Sequence, residues 1–413
     1  MSVYAKRRLA VLAAFVAAGA ATGAGAYALL DALRGGGAAE VEGPAPRVVI
    51  RRERPQAAQD LGFPAFATKN TTRVAGTDPT ADAAGVALAV YPASGAGQRP
   101  AAVSLVGADS WQAGVAAAVL AGPPVGAPVL ISGPGGVPAL TADALAALAP
   151  RGAAATDRYQ VFRIGEVAAP AGARTLTVRG RSPAAIAARL DRLRERLTGS
   201  PPDAVLLASE RDPAFAMPAA AWAARFGQPV LFADRDRLPA ATVAALKRHP
   251  GVQVYALGPQ AVISRKALAA ADAITHGAIR VGAADPVANA IALARSVAGR
   301  FAWNINDPGH GFVVASAARP LDAAAAAALS ASGTWGPLLV TDDARRVPAA
   351  LRDYLLDVKP GYLSDPTRAV YNHVWVIGDE SAISAAEQAE IDSLAEVAPV
   401  RSASPRRAGG ATR

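Results

Sequence analysis

The sequence predicts an α/β protein made of three repeated parallel modules, and three observations carry that expectation. Short apolar runs without polar alternation recur along the chain, as strands buried on both faces of a parallel sheet require. Each run is followed by a stretch of helical length with recognisable start or stop residues. The whole succession returns at a period of about 100 residues.

The middle unit shows the pattern most fully. Ala204-Val205-Leu206-Leu207-Ala208-Ser209 is the first strand, and an alanine-rich helix follows to Phe226, where Gly227 suits a left-handed C-cap. Pro229-Val230-Leu231-Phe232-Ala233 is the second strand. Leu238-Pro239-Ala240 then opens a helix to about Arg248, since a proline near a helix start removes no needed N–H. Val252 to Leu257 is the third strand, leading through Gly258 to Ala261-Val262-Ile263-Ser264. Strands alternating with helices in this way make a right-handed parallel unit.

The landmarks recur in register. First strands stand at Val103-Ser104-Leu105-Val106-Gly107 and Phe312-Val313-Val314-Ala315-Ser316, second strands at Pro128 to Ser132 and Pro337 to Thr341. The helix-opening tripeptide returns as Val137-Pro138-Ala139 and Val347-Pro348-Ala349. A turn precedes each unit: Arg73 to Pro79, Val178 to Pro183 and Arg280 to Pro286. Each ends in Asp-Pro or Ser-Pro, the N-cap and first residue of a helix.

With these residues in hand, the middle unit resembles the cell wall-binding repeat 2 family, whose repeats occur in threes on bacterial surface proteins. The match runs from Val205 to Ser209, from Ala219 to Phe232 and from Tyr255 to Ser264, and the third unit repeats the ending from Val374 to Ser384. The likeness extends over roughly residues 73–397. It implies Rossmann-like three-layer modules in a pseudo-threefold arrangement, and a role in holding the cell wall. The family's acidic residue six positions past the first strand is kept as Asp322, whereas the other units carry Ala113 and Phe215.

The remaining chain reads as ends and linkers. Residues 1–8 form a cytoplasmic N-terminus with Lys6-Arg7-Arg8, and 9–30 are uncharged. As a helix the 22 residues from Leu9 to Leu30 would span about 33 Å, enough for a single membrane crossing with the modules outside. A cleaved signal peptide, with small residues such as Ala24-Gly25-Ala26, competes with the anchor and would release the protein to the cell wall. Residues 31–72 are a Pro- and Gly-rich linker, 73–176, 177–279 and 280–399 the three modules, and 400–413 a basic tail expected to be disordered.

Of 413 residues 52% are hydrophobic, ample for buried cores, and there is no cysteine for disulfides or thiolate metal sites. The formal charge of +9 belongs to the ends. Residues 73–400 hold 29 basic and 28 acidic side chains, so a nucleic-acid partner, which needs a basic folded face, is not expected. No phosphate loop, nucleophile elbow or zinc-type histidine pair is present, so neither an enzyme nor a cofactor is expected.

Parallel sheets place ligands beyond the carboxyl ends of their strands. The cations there are Arg211, Arg235, Arg237, Arg319, Arg345 and Arg346, and guanidinium groups suit phosphate or carboxylate by paired hydrogen bonds. The expected function is therefore non-catalytic association with an anionic cell-wall polymer through these residues. A protein-binding envelope scaffold and an uncharacterised envelope enzyme are the alternatives.

Overall fold

The computed structural model describes residues 66–400. The segments read as membrane anchor or signal peptide, most of the linker, and the basic tail lie outside the described residues. Among the described residues no helix is long and apolar enough to cross a membrane.

Three sheets repeat one strand order, second-first-third-fourth. Module 1 pairs Val129–Ser132, Val103–Gly107, Val161–Ile164 and Thr175–Val178 in parallel. Module 2 pairs Val230–Ala233, Ala204–Ser209, Gln253–Leu257 and Ala278–Val281 in the same sense. The expected first and second strands, and the expected third strand of module 2, are thus present within a residue or so of their sequence bounds, while Val161–Ile164 is a third strand not read from the sequence. The fourth strands are the residues immediately before the Ser-Pro and Asp-Pro turns.

Module 3 obtains its fourth strand differently. Its sheet holds Leu338–Thr341, Gly311–Ser316 and His373–Ile377, and the fourth place is taken by Thr71–Val74, which straddles the boundary read from sequence between linker and module 1. Val374 to Ile377 pair in parallel with Thr71 to Val74, and Phe66–Ala67 adds a short antiparallel edge strand beyond. The chain is therefore closed on itself: the last sheet is completed from the N-terminal side. The residues that follow module 3, Ala398–Pro399, pair instead with Gly361–Tyr362 in a small parallel sheet.

Four kinds of helix connect these strands. A linking helix follows each fourth strand, at Pro79–Val90, Pro183–Thr198 and Pro286–Arg295. Its start is set by the predicted caps: Asp78 accepts the Thr80 and Ala81 N–H groups, Ser182 that of Ala185, and Asp285 that of Ala288. A core helix follows each first strand, at Trp111–Ala117, Pro218–Phe226 and Leu321–Ala328. The middle one ends at Gly227 with φ +64°, the left-handed cap read from sequence.

The core helices pack on one another, and their alanines allow close approach. A Cβ on Gly114 would come within 2.8 Å of the Ala324 Cβ. A first flanking helix follows each second strand, at Ala139–Leu148, Ala240–Arg248 and Ala349–Asp357, opening at Pro138, Pro239 and Pro348. A second flanking helix follows the third strand in module 2, Arg265–Thr275, and in module 3, Ala385–Ala395. Module 1 has none; residues 165–174 run from third to fourth strand without a helix.

Strand alternation divides the core. Val313 and Ala315 join a large apolar cluster shared by all three modules, whereas Phe312 and Val314 point into a second cluster with Leu339, Val374 and Val376. Both faces of the module 3 sheet are thus covered, which explains its unbroken apolar runs.

Candidate functional site

The carboxyl ends of the first and second strands in module 2 carry a compact polar loop pair. Ser209 closes the first strand, donates its hydroxyl to Asp212 Oδ2 at 2.7 Å, and accepts the Arg211 and Asp212 N–H groups. That turn projects Arg211 toward Asp234 at the end of the second strand. Asp234 is gripped on both oxygens: Arg211 Nε lies 3.0 Å from Oδ1, and Arg237 Nε lies 2.8 Å from Oδ2. The Arg237 hydrogen bond is the main reason its carboxyl sits below the usual range. Glu210 is shifted the other way, by partial burial and then by the Asp234 charge. Arg235 is looser, 3.9 Å from Asp236.

Module 3 repeats the second-strand loop but not the first. Asp343 accepts the Arg346 Nε at 2.7 Å and the Arg345 N–H at 2.9 Å, which together hold its carboxyl down. The Arg345 guanidinium has no carboxylate within ion-pairing distance among the described residues. Arg211, Arg235, Arg237 and Arg346 are all well exposed, between 65% and 81% of the side chain.

Arg319 stands apart from the other five. Only 15% of its side chain is exposed, and it joins the N-terminal linking helix to module 3. Its guanidinium contacts Asp82 of that helix and Asp322 of the core helix, with Nε 2.9 Å from Asp322 Oδ2. It also lies 3.5 Å from Asp379. Asp82 and Asp322 are fully buried, and Asp82 Oδ1 accepts the Gly76 N–H at 2.8 Å. Burial pushes both carboxyls up, Asp82 to about 9 with help from the Asp322 charge, and Asp322 to about 7. One guanidinium facing two buried carboxyls leaves room for one shared proton, which makes the trio nearly neutral. Its chemistry is that of a lock between elements distant in sequence.

Asp82 escapes a sequence reading because it lies in the linking helix, 240 residues from Asp322. Its signal is positional: Asp82 and Asn289 both stand four places past the N-cap, and the Asn289 amide donates to the Phe215 carbonyl. Arg73 and Arg280 gain a role in the same way. Arg73 donates to the Gly378 and Asp379 carbonyls and to Gln388, and Arg280 to the Gly258 and Ile263 carbonyls, so each ties a fourth strand to the turn after the third.

The Gly-rich Ser132–Gly136 stretch after the second strand of module 1 is a turn, closed by a bridge between Gly133 and Gly136. Of the histidines, His249 is buried against Asp191, His310 faces Asp307, and His373 faces the Thr72 hydroxyl. Among the described residues no group of three or more His, Cys, Asp or Glu side chains is placed to hold a metal.

No family model matches the chain, and no curated relative matches it. Two solved structures from Clostridium difficile share its fold. Cwp6 superposes with a TM-score of 0.63 at 18% identity, over 79% of this chain and 48% of its own. Cwp8 superposes with a TM-score of 0.60 at 17% identity, over 79% of this chain and 52% of its own. The chain thus spans about half the length of these structures, and the likeness is one of fold.

Proposed function

We propose that this chain is a non-catalytic protein of the bacterial cell surface whose three modules, in a pseudo-threefold arrangement, associate with an anionic cell-wall polymer. The observation that carries the reading is the set of exposed arginines beyond the strand ends of modules 2 and 3, where parallel sheets present ligands. Arg235 and Arg345 are the least engaged, so they would meet a phosphate or carboxylate first. Arg211, Arg237 and Arg346 would have to exchange an aspartate for the polymer. Arg319 serves the lock and is assigned no polymer contact. The fold shared with Cwp6 and Cwp8 is in keeping with a surface role. The uncharged segment 9–30 would hold the modules outside the cytoplasmic membrane.

The test is co-sedimentation with purified cell wall, with and without its anionic polymers. Three proteins are compared: the full chain, a chain ending at Val400, and that truncation with Arg211, Arg235, Arg237, Arg345 and Arg346 changed to alanine. Binding should depend on the polymers, survive loss of the tail, fall in the arginine variant, and weaken with salt, since exposed charges are screened over about 8 Å. Loss of binding on removing the tail alone would move the interaction to the four tail arginines. Absence of binding by all three proteins would sink the proposal.

A further inference from the structure

Module 1 departs from its sisters in one structural respect, the missing second flanking helix. In module 3 that helix, Ala385–Ala395, lies against the first flanking helix, where Arg352 pairs with Glu390 and Lys359 donates to the Ser393 carbonyl. Counting from the proline that opens each first flanking helix, Arg352, Leu355 and Lys359 correspond to Ala142, Leu145 and Ala149 of module 1. These module 1 residues line a groove of about 600 Å³, whose other wall is the run from Ala168 to Ala173. Alanine on one wall and alanine and proline on the other leave the width that a side chain-bearing helix face would fill.

Charge gives the groove a direction. Arg99, Arg158 and Arg174 stand one to four residues before the strands Val103–Gly107, Val161–Ile164 and Thr175–Val178, and the Arg151 N–H bonds to the Pro100 carbonyl, so all four belong to the end where the strands of module 1 begin; none has a carboxylate within ion-pairing distance among the described residues. Arg99 itself lines the groove, and its Nε is anchored on the Ala149 carbonyl. In modules 2 and 3 the second flanking helix runs down toward this end, so its last carbonyls arrive there. A helix entering module 1 in the same sense would bring its negative pole and any acidic residues of its last turns to four unpaired cations. The module 3 helix is itself acidic in its second half, with Glu390 and Asp392.

We propose that the module 1 groove docks an acidic helix of a partner protein, one with alanine and leucine on its docking face, which completes the module as Ala385–Ala395 completes module 3. Such docking is the helix-in-groove mode, with small apolar anchors giving fit and the arginine end giving orientation. This surface is separate from the strand-end arginines, so it stands whether or not the chain holds a polymer.

The probe is a fluorescent peptide with the chain's own sequence from Ser384 to Glu396, titrated with the full-length protein and followed by anisotropy. Saturable binding is expected, weakened at least tenfold in the double variant Ala142→Glu and Ala146→Glu. Both positions are exposed in a helix, so the fold should be retained, as circular dichroism melting would show. Arg151→Glu with Arg174→Glu should weaken it as well, and a peptide carrying Ala389→Pro should bind at least tenfold less tightly. No saturable binding up to about 1 mM, or equal affinity for the wild type and the groove variant, would overturn the proposal. Equal binding of the proline peptide would reduce the interaction to charge alone and overturn it too.

Discussion

Removing the Arg319 guanidinium is the sharpest test of how this chain is closed. Arg319→Met keeps most of the side chain's length but leaves Asp82 and Asp322 buried without their cation. Breaking a buried ion pair from one side costs about 3–5 kcal/mol, measured as a shift in the urea midpoint at pH 7. Asp82→Asn should behave very differently. It imitates the protonated carboxyl already favoured by burial, and should cost no more than about 1.5 kcal/mol, the worth of one imperfect hydrogen bond.

The pH dependence separates the two effects. A carboxyl raised to about 9 in the folded chain and near 4 when unfolded holds its proton only in the folded state between those values. The folded state therefore binds more protons, and stability falls as pH rises through the window, by up to about 1.4 kcal/mol per pH unit. Glu387, raised to about 7 by burial, adds to the slope at lower pH, so the measurement belongs between pH 7 and 9. Wild type should lose stability across that range, and Asp82→Asn should lose clearly less. An unchanged slope in Asp82→Asn would show that the proton is not held by this pair. A cost below about 1 kcal/mol for Arg319→Met would mean that the cluster is open to water.

Three further outcomes follow from the packing. Leu207→Ala, at a fully buried position of the central module 2 strand, should cost about 2–5 kcal/mol by chemical denaturation. Gly122→Ala should destabilise by about 1–3 kcal/mol or more, because its Cβ would lie 2.2 Å from the Ala224 carbonyl oxygen; a neutral result would refute the close approach of the segment after the module 1 core helix to the module 2 core helix. Thr72→Pro removes a strand N–H from the N-terminal strand that completes module 3, and hydrogen exchange should then rise at His373–Ile377 while Gln253–Leu257 in module 2 stays protected.

Whatever depends on a few neighbouring residues was legible in the amino-acid sequence alone. The apolar runs at Val103–Gly107, Ala204–Ser209 and Gly311–Ser316 are strands because burial on both faces leaves no place for polar alternation. The Asp78-Pro79, Ser182-Pro183 and Asp285-Pro286 pairs start helices because cap and proline act within one turn. Their threefold recurrence established the modules. What the tertiary structure decided lies wherever partners are far apart in the chain. Thr71-Thr72-Arg73-Val74 has no strand signature of its own, and becomes one because the module 3 sheet offers an unpaired edge. Arg319 resembled the other strand-end arginines until Asp82, brought in by that same closure, drew it inside. The basic end of module 1 is scattered over residues 99–174 and only folding gathers it. A sequence states local preferences directly, whereas the burial of a charge depends on which distant groups arrive to meet it.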